Sequence, residues 1–239
     1  MISIVIPTYN EKDNIIKLIE SIKKIGKQKK LKYEIIVVDD SSPDGTGLLV
    51  RKIYKNNRSI RCFIRHSHRG LAQSILYGIS NAKGKIIIGM DADFNHPPVY
   101  VDKLVDALKA KKGKLIIASR FVKGGSMHGF LRPFGSKIVN YLLRYFFRFP
   151  LYDNLSGYYA IYLSDLKKMG LQNIYSGYGE YHMRLVWFAH YLHGYSIFEL
   201  PAKCGKRYRG VSKSDLLGML VGYFHEAWKL NRSLTNRDR

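Results

Sequence analysis

Two aspartates one residue apart, Asp91 and Asp93, have the types and spacing in this sequence that most clearly predict chemistry. They follow the apolar run 86–88, which predicts a buried strand, and Pro97 and Pro98 then turn the backbone away. Carboxylates at such a strand end lie where open α/β sheets bind ligands, and they suit a hard cation that holds phosphate oxygens. A solvated turn in which Asp93 only caps the next helix is the plainer alternative.

Residues that could bind a ligand come directly after two further predicted strands, which cover residues 2–6 and 33–38. These residues are Pro7, Tyr9, Glu11, Asp39 and Asp40. Because the carboxyl ends of parallel strands share one edge of a sheet, we expect these groups to meet Asp91 and Asp93 there. The sequence therefore predicts a single acidic crevice, suited to a divalent metal and to recognition of a base or of ribose hydroxyls.

The elements that must position this crevice alternate between short strands and helices. Further strands are predicted over 60–64, 115–118 and 195–200, and helices over about 10–25, 46–54, 70–82 and 98–110. Asn10 is the predicted N-cap of the first helix, with Asp13 as a weak capping box. This order predicts an α/β fold with a doubly wound, mostly parallel sheet flanked by helices.

Two amphipathic helices are predicted after most of the sheet. The first covers about 132–149, and its apolar stripe comprises Ile138, Tyr141, Leu142, Tyr145 and Phe149. The opposite stripe comprises Lys137, Asn140, Arg144 and Arg148. The second begins near residue 215, and its stripe comprises Leu217, Leu220, Val221, Phe224 and Trp228. Each stripe fits either an interfacial membrane helix or a helix packed on the protein's own core.

The charge of the chain points to anionic partners. There are 40 Lys plus Arg against 18 Asp plus Glu, a net charge of +22. Such a surface attracts nucleic acid, anionic lipid or phosphorylated molecules. We do not expect nucleic acid, because the sequence has no recognition helix, RNA-binding or zinc-finger motif. The two cysteines, Cys62 and Cys204, suggest neither a disulfide framework nor a metal knuckle.

The predicted location is cytoplasmic and peripheral. The first residues lack the basic start of a signal sequence, and no apolar run reaches the roughly 18 residues needed to span a bilayer. His225 and Glu226 also argue against a spanning C-terminal helix. We therefore expect the protein on the cytoplasmic face of a membrane, with one main domain over 1–213 and an amphipathic helix and tail over 214–239.

Five stretches together resemble a known enzyme family. They are IVIPTYNE (4–11), IIVVDDSSPDGT (35–46), MDADFNHPP (90–98), SRFVKGG (119–125) and RYRGVSK (207–213). The sequence resembles the family 2 inverting glycosyltransferases, and within them the dolichyl-phosphate mannose synthases and related polyprenyl-phosphate glycosyltransferases. The resemblance implies a Rossmann-like GT-A fold over 1–213. In that fold about 1–120 would bind the nucleotide sugar, and about 121–213 would bind the acceptor.

The resemblance also implies roles for individual residues. Those that fall where the family binds the nucleoside are Pro7, Tyr9, Glu11, Asp39 and Asp40. Asp91 and Asp93, with Asn95, fall where the family holds Mg²⁺ or Mn²⁺ on the donor diphosphate. Those that fall at the donor and lipid phosphates are Arg120, Arg132, Ser136, Arg207 and Lys213. Asp93 and these four cations form the implied catalytic set.

The implied reaction moves a hexose, preferably mannose from GDP-mannose, to dolichyl or polyprenyl phosphate. The acceptor phosphate oxygen would attack the anomeric carbon in line with the departing nucleoside diphosphate, which metal and cations stabilise. A phosphate is already ionised at neutral pH, so a general base is less necessary than for a hydroxyl. An anionic membrane surface and a small membrane anchoring subunit are the further expected partners.

Three departures from the family pattern keep other functions open. Asn95 stands where the family usually has Gln, 153–158 lacks a Thr, and 177–182 lacks a Gln and the Glu that follows it. The last two bear on the sugar and the acceptor more than on the reaction type. Glu180 is a candidate base for a hydroxyl acceptor, or a surface acid that starts a helix. The alternatives are transfer to a protein or soluble glycan, and an inactive subunit that binds nucleotide sugar.

Overall fold

The computed structural model describes residues 1–129, 131–205, 208–209 and 216–235, and these residues contain one mixed sheet of seven strands. The spatial order of the strands is β3-β2-β1-β4-β6-β5-β7. Their bounds are β1 (Ile2–Thr8), β2 (Tyr33–Asp39), β3 (Ile60–Ile64), β4 (Ile86–Gly89), β5 (Leu115–Ser119), β6 (Tyr159–Tyr162) and β7 (Ile197–Pro201).

Helices cover the sheet and extend beyond it. Those in the first part of the chain are α1 (Lys12–Gln28), α2 (Thr46–Ile53), α3 (Leu71–Ser80) and α4 (Val101–Lys109). Those that follow are α5 (Leu131–Phe147), α6 (Leu163–Lys168), α7 (Leu171–Ile174), α8 (Tyr181–Trp187) and α9 (Leu216–Thr235). A 3₁₀ turn (Pro98–Tyr100) leads into α4, and a π-helical segment (Phe188–Leu192) follows α8.

β1 lies inside the sheet and pairs in parallel with β2 on one side and β4 on the other. All residues of β1 and β4 are buried, as expected for parallel strands covered on both faces. Thr8 pairs with Asp39, and Val5 pairs with Gly89. The three strands therefore end at one edge, and the predicted mostly parallel sheet is confirmed.

β6 is an antiparallel strand that the sequence pattern did not predict. It lies between β4 and β5, where Ala160 pairs with Ile88 on one side and with Ile116 on the other. The strand is only four residues long, too short for periodicity to separate it from a turn of helix. Because β6 is antiparallel to both neighbours, β5 runs parallel to β4 without pairing with it, and Ser119 still ends at the same edge.

The start of α1 differs from the expectation. The N-cap is Glu11 rather than Asn10, and no side chain caps the helix. β1 continues to Thr8, so Asn10 falls in the turn with a φ of 55°. Its backbone N–H donates to the Ser42 hydroxyl at 2.9 Å, which ties this turn to the one after β2. The predicted capping role of Asn10 is therefore wrong.

Within α5 the buried face differs from the predicted stripe, of which Phe149, just after the helix, is buried. Val139 and Leu143 are buried, in a cluster with residues of α8 and α9 that include Met183, Trp187, Tyr223, Ala227 and Leu230. The apolar residues that face solvent instead include Phe134, Ile138, Tyr141, Tyr145 and Phe146. Asn140, assigned to the polar stripe, is only 1% exposed. Its buried side-chain amide is satisfied, because it donates to the Ser136 carbonyl and accepts from the Asn154 N–H. The helix thus has one apolar face on the core and another exposed.

α9 packs in the same way, with the core-packing residues Tyr223, Ala227 and Leu230 buried while Val221 and Trp228 stay exposed. Its Glu226 lies 3.2 Å from Arg184 of α8, and both side chains are mostly buried. Among the described residues, no helix combines the length and the apolar character that crossing a membrane requires. α9 is therefore held to the rest of the protein by an apolar face and an ion pair.

Candidate functional site

The turn after β4 places the two aspartates at the edge where β1 and β2 also end. Asp93 is buried, whereas the Asp91 side chain is 42% exposed. Phe94 between Asp93 and Asn95 has a φ of 69°, a conformation that a bulky residue adopts only where the surroundings enforce it. This turn presents one carboxylate outward and keeps the other inside the protein.

His96 fixes this turn to the second half of the chain. Its Nδ1 accepts the Asp91 N–H at 2.9 Å, so its Nε2 is the atom that donates to the Ser156 carbonyl, also at 2.9 Å. The ring is stacked on Tyr158, with centroids 4.9 Å apart. Both ring nitrogens are engaged within the protein, which makes His96 a support of the aspartate turn.

The carboxylate oxygens at this turn are of the type that binds a divalent cation together with substrate oxygens. The Asn95 backbone N–H and side-chain amide donate to the two oxygens of Asp93, at 3.0 and 2.6 Å. Within the described ranges, no group of three or more His, Cys, Asp and Glu side chains forms a complete cation site. Two carboxylates completed by phosphate oxygens are the arrangement that Mg²⁺ commonly takes. The ligand roles of Asp91, Asp93 and Asn95 remain predictions.

Asp39 and Asp40 lie at the end of β2, and both are buried. Asp39 accepts hydrogen bonds from the Thr8 hydroxyl at 3.0 Å and from the Ser42 N–H at 2.9 Å. Asp40 pairs with Arg65 at 2.9 Å and also accepts from the Gly70 N–H and the Ser74 hydroxyl. These carboxylates hold the turns of the crevice in place, and their predicted contact with a nucleoside stays a prediction.

The segment after β1 completes this side of the crevice. Pro7 lies within the strand, and the Tyr9 side chain is 42% exposed with the Arg69 guanidinium 5.2 Å from its ring centroid. Glu11 is buried, and its carboxylate accepts from the Asn14 amide at 2.6 Å. The structure therefore brings the five predicted nucleoside-binding residues and the aspartate pair to one edge.

Arg120 follows β5 and forms a bidentate ion pair with Asp153. Its Nε and Nη2 lie 2.7 and 2.6 Å from the two carboxylate oxygens, and its backbone N–H donates to the same group. Burial opposes charge on both groups, but their mutual attraction and hydrogen bonds outweigh it. The pKa of Arg120 is therefore raised and the pKa of Asp153 is lowered. Two of the guanidinium nitrogens of Arg120 are therefore already engaged with Asp153. The predicted contact of Arg120 with phosphate stays a prediction.

The other predicted phosphate-binding residues are only partly described. The Ser136 carbonyl accepts from Asn140, and its side chain is half-buried. Arg207 and Lys213 lie outside the described residues, as does the side chain of Arg132. Their predicted roles therefore stay predictions. The described pair Tyr208 and Arg209, from the same sequence stretch, lies directly against the aspartate turn, where the Tyr208 N–H donates to the Asp93 carbonyl at 3.2 Å.

α8 and α9 bring further side chains toward the site. His182 is buried, its Nδ1 donates to the Asn154 carbonyl at 2.8 Å, and burial lowers its pKa to about 4. The Glu180 carboxylate accepts the Tyr178 N–H at 2.8 Å, so it closes the turn before α8. The hydroxyl of Tyr223 in α9 would lie 2.7 Å from a Cβ placed on Gly179. α9 therefore contacts the turn that precedes α8.

Sequence reasoning missed Asn14 and Lys17, which α1 points at Tyr208 and Arg209. The Asn14 amide bonds the Arg209 backbone, and the Lys17 ammonium bonds the Tyr208 hydroxyl at 2.6 Å. A signal was present for Asn14, because it adjoins the apolar stripe of an amphipathic helix, where an amide needs a partner. No comparable signal marked Lys17, which resembles any exposed lysine of the basic surface.

Solved structures of known proteins share this fold. A crystal structure of glucosyl-3-phosphoglycerate synthase from Mycobacterium tuberculosis, in complex with Mn²⁺, uridine diphosphate and phosphoglyceric acid, superposes with a TM-score of 0.73. The two are 21% identical, and the match covers 97% of this chain and 78% of that one. At this identity the comparison supports the fold alone, and it confirms the expected GT-A architecture.

Two curated relatives match at the level of sequence. Dolichol-phosphate mannosyltransferase of Pyrococcus furiosus is 35% identical over 139 residues, which are 58% of this chain and 38% of that protein. Polyprenol monophosphomannose synthase of Mycolicibacterium smegmatis is 32% identical over 216 residues, which are 88% of this chain and 79% of that protein. The chain thus spans less than half of the archaeal relative and most of the mycobacterial one.

The sequence pattern of the family described as glycosyl transferase family 2 matches residues 3–170. The matched part contains the crevice, the aspartate turn and the Arg120–Asp153 pair. The resemblance seen in the sequence is confirmed, and the chain belongs to glycosyl transferase family 2.

Proposed function

We propose that the chain is a metal-dependent inverting glycosyltransferase that moves mannose from GDP-mannose to dolichyl or polyprenyl phosphate at a membrane surface. The observation that carries the proposal is the match to polyprenol monophosphomannose synthase, which extends over 88% of this chain and 79% of that protein. The archaeal relative bears a name of the same kind, although this chain covers only 38% of its length.

On the donor side, Asp91, Asp93 and Asn95 are the residues that would hold Mg²⁺ or Mn²⁺. The structural neighbour from Mycobacterium tuberculosis was crystallised with Mn²⁺ and a nucleoside diphosphate, which supports a divalent metal here. A bound divalent metal would supply positive charge for the diphosphate of the leaving group. Asp91, the more exposed carboxylate, is accessible to solvent at the mouth of the crevice.

On the acceptor side, the lipid phosphate is an ionised nucleophile that needs orientation more than deprotonation. The chain offers Arg209 beside the aspartate turn, together with the predicted Arg132, Arg207, Ser136 and Lys213. Glu180 is engaged with the Tyr178 N–H, an arrangement that supports a structural role rather than that of a base. The attacking oxygen and the departing diphosphate would then lie on opposite sides of the anomeric carbon, which inverts its configuration.

The exposed apolar face of α5 supports a position at a membrane surface. Phe134, Tyr141 and Tyr145 are each more than half exposed, and the exposed Lys137 lies on the same helix. Aromatic side chains next to cations are typical of helices that lie in the interface of an anionic membrane. We place this surface on the cytoplasmic face, where a small membrane subunit would strengthen the anchoring.

A donor panel tests the proposal directly. The purified chain is incubated with GDP-mannose, GDP-glucose, UDP-glucose or UDP-N-acetylglucosamine, with Mn²⁺ or Mg²⁺ and a short polyprenyl phosphate in anionic vesicles, and products are read by mass. We expect a mannosyl lipid phosphate that EDTA abolishes. No lipid product from any donor would refute the proposal, and transfer to a soluble glycan without vesicles would favour the alternative acceptor class.

A further inference from the structure

We propose that Asn14 is a positioning residue for the transfer reaction, which holds the backbone of Arg209 between the donor-binding segment and the aspartate turn. The inference rests on the proposed function for its effect on catalysis, whereas the contacts themselves stand independently of it. Asn14 lies in the first turn of α1 and is 2% exposed. It is not among the residues that the family resemblance implies for the donor, the metal or the phosphates.

The side-chain amide of Asn14 makes two hydrogen bonds to one distant residue. Its Nδ2 donates to the Arg209 carbonyl at 3.0 Å, and its Oδ1 accepts the Arg209 N–H at 3.1 Å. Together these bonds fix both the position and the direction of the Arg209 backbone. A buried amide that completes a pair of backbone bonds in this way is costly to remove, since it leaves buried groups unsatisfied.

The same amide also bonds the donor side of the site. Nδ2 carries two hydrogens, and besides the Arg209 carbonyl it donates to the Glu11 carboxylate at 2.6 Å. Glu11 is one of the residues placed where the family binds the nucleoside. Only a side chain with two donor hydrogens and an acceptor can make all three bonds, which an aspartate in place of Asn14 cannot do.

A second set of contacts holds the neighbouring residue. The Tyr208 N–H donates to the Asp93 carbonyl at 3.2 Å, and the Tyr208 ring lies 5.9 Å from the Phe94 ring. Lys17, one turn beyond Asn14, donates to the Tyr208 hydroxyl at 2.6 Å and lies 4.1 Å from its ring centroid. Tyr208 and Arg209 are therefore held by α1 on one side and by the aspartate turn on the other.

This arrangement has a consequence for charge at the site. Arg209 is exposed, and its guanidinium lies 5.9 Å from the ring centroid of Tyr208, the residue whose backbone N–H bonds the aspartate turn. Because Asn14 contacts the backbone of Arg209 and not its guanidinium, Asn14 sets where that cation lies without touching a substrate. Its loss is expected to slow transfer more than it weakens donor binding.

Hydrogen exchange tests the contact without any substrate. In Asn14→Ala we expect the Arg209 amide to exchange at least tenfold faster than in the unchanged protein, as read by mass spectrometry of peptides that contain it. Lys17→Met should accelerate exchange of the same peptide less, and its matched control on the same helix, Lys24→Met, should leave it unchanged. Equal exchange in Asn14→Ala and the unchanged protein would overturn the inference.

Kinetics then separate positioning from donor binding. Asn14→Ala should lower kcat for lipid transfer at least tenfold while the calorimetric Kd for GDP-mannose changes less than threefold. Combining it with Tyr208→Ala should cost little more than the larger single effect, because both act through one segment. A parallel loss in donor affinity would place the role of Asn14 at Glu11. Additive effects would mean that Asn14 and Tyr208 act independently. Either result would refute the inference. Absence of transfer by the unchanged protein would instead refute the proposed function, and the exchange result would still decide whether Asn14 holds Arg209.

Discussion

Replacing Asp153 by asparagine tests how strongly the Arg120 pair holds the site together. Asp153 is fully buried and Arg120 is 13% exposed, and the two share a bidentate contact at 2.6 and 2.7 Å. The amide introduced by Asp153→Asn would turn a donor toward the guanidinium and remove its counter-charge. Because the cation would remain buried without compensation, we expect a loss of about 3–5 kcal/mol in the free energy of unfolding.

The expected loss depends on pH with a definite sign. The pKa of Asp153 is lowered in the folded protein, so its contribution to stability is fully present above the ordinary aspartate pKa. The difference between the unchanged protein and Asp153→Asn should therefore be constant from neutral pH down to about pH 5, then shrink as the pH falls further toward the folded pKa. A difference that grows on acidification would contradict the assigned direction.

Urea unfolding and differential scanning fluorimetry measure this effect. For a chain of this length, a loss of about 3–5 kcal/mol corresponds to a decrease in Tm of roughly 6–20 °C. Asp106→Asn, which changes an exposed aspartate on α4, is the control and should change stability by less than about 0.5 kcal/mol. If Asp153→Asn unfolds within about 1 kcal/mol of the unchanged protein, the pair does not carry the structural role assigned to it.

Four further outcomes are expected. Asp93→Asn should lower metal-dependent transfer by about 100-fold or more without unfolding the protein, as read by GDP release. Tyr141→Ser combined with Tyr145→Ser should weaken sedimentation with anionic vesicles at least fivefold, since both side chains are exposed. Leu143→Ala should cost about 2–5 kcal/mol in urea unfolding, because the side chain is fully buried. Gly205→Ala should lower Tm, since its Cβ would lie 2.5 Å from the Phe94 carbonyl oxygen.

Matched substitutions give these outcomes their controls. Asp106→Asn should retain transfer, and Tyr77→Ser, which changes an exposed tyrosine on α3, should retain vesicle binding. Leu48→Ala removes a leucine that is 67% exposed, and Gly135→Ala adds a Cβ with no heavy atom within 4 Å beyond its chain neighbours and its own helix backbone, so both should stay near the unchanged stability. If a variant and its control change transfer, vesicle binding or stability equally, the structural reason given for that variant is refuted.

The donor edge was predictable because local signals and topology agree there. Apolar runs end in carboxylates at Asp39 and Asp91, and parallel strands must end together, so the crevice follows without any knowledge of side-chain contacts. The internal bonds of that crevice were not predictable. Whether Asp40 faces a ligand or Arg65 depends on a contact between the ends of β2 and β3 that no sequence spacing encodes.

The helices after the sheet show a different limit. Periodicity correctly found an amphipathic helix in α5, but Val139 and Leu143 are the residues of the helix that face the core, and of the predicted stripe Phe149, just after the helix, is buried with them. A helix with apolar residues on two sides does not reveal which side is covered, because that depends on where α9 packs. Asn140 was misjudged for a related reason, since its buried partner lies in a loop that sequence reasoning did not position.

The position of β6 has a consequence for synthesis of the protein. β4 and β5 emerge from the ribosome before the strand that joins them, because Ala160 must reach both Ile88 and Ile116. Until then each nascent strand presents an unpaired edge, which is the kind of surface that recruits other chains. Chain termination between Ser119 and Tyr159 should therefore yield a product that aggregates or is degraded, rather than a shorter domain that binds nucleotide.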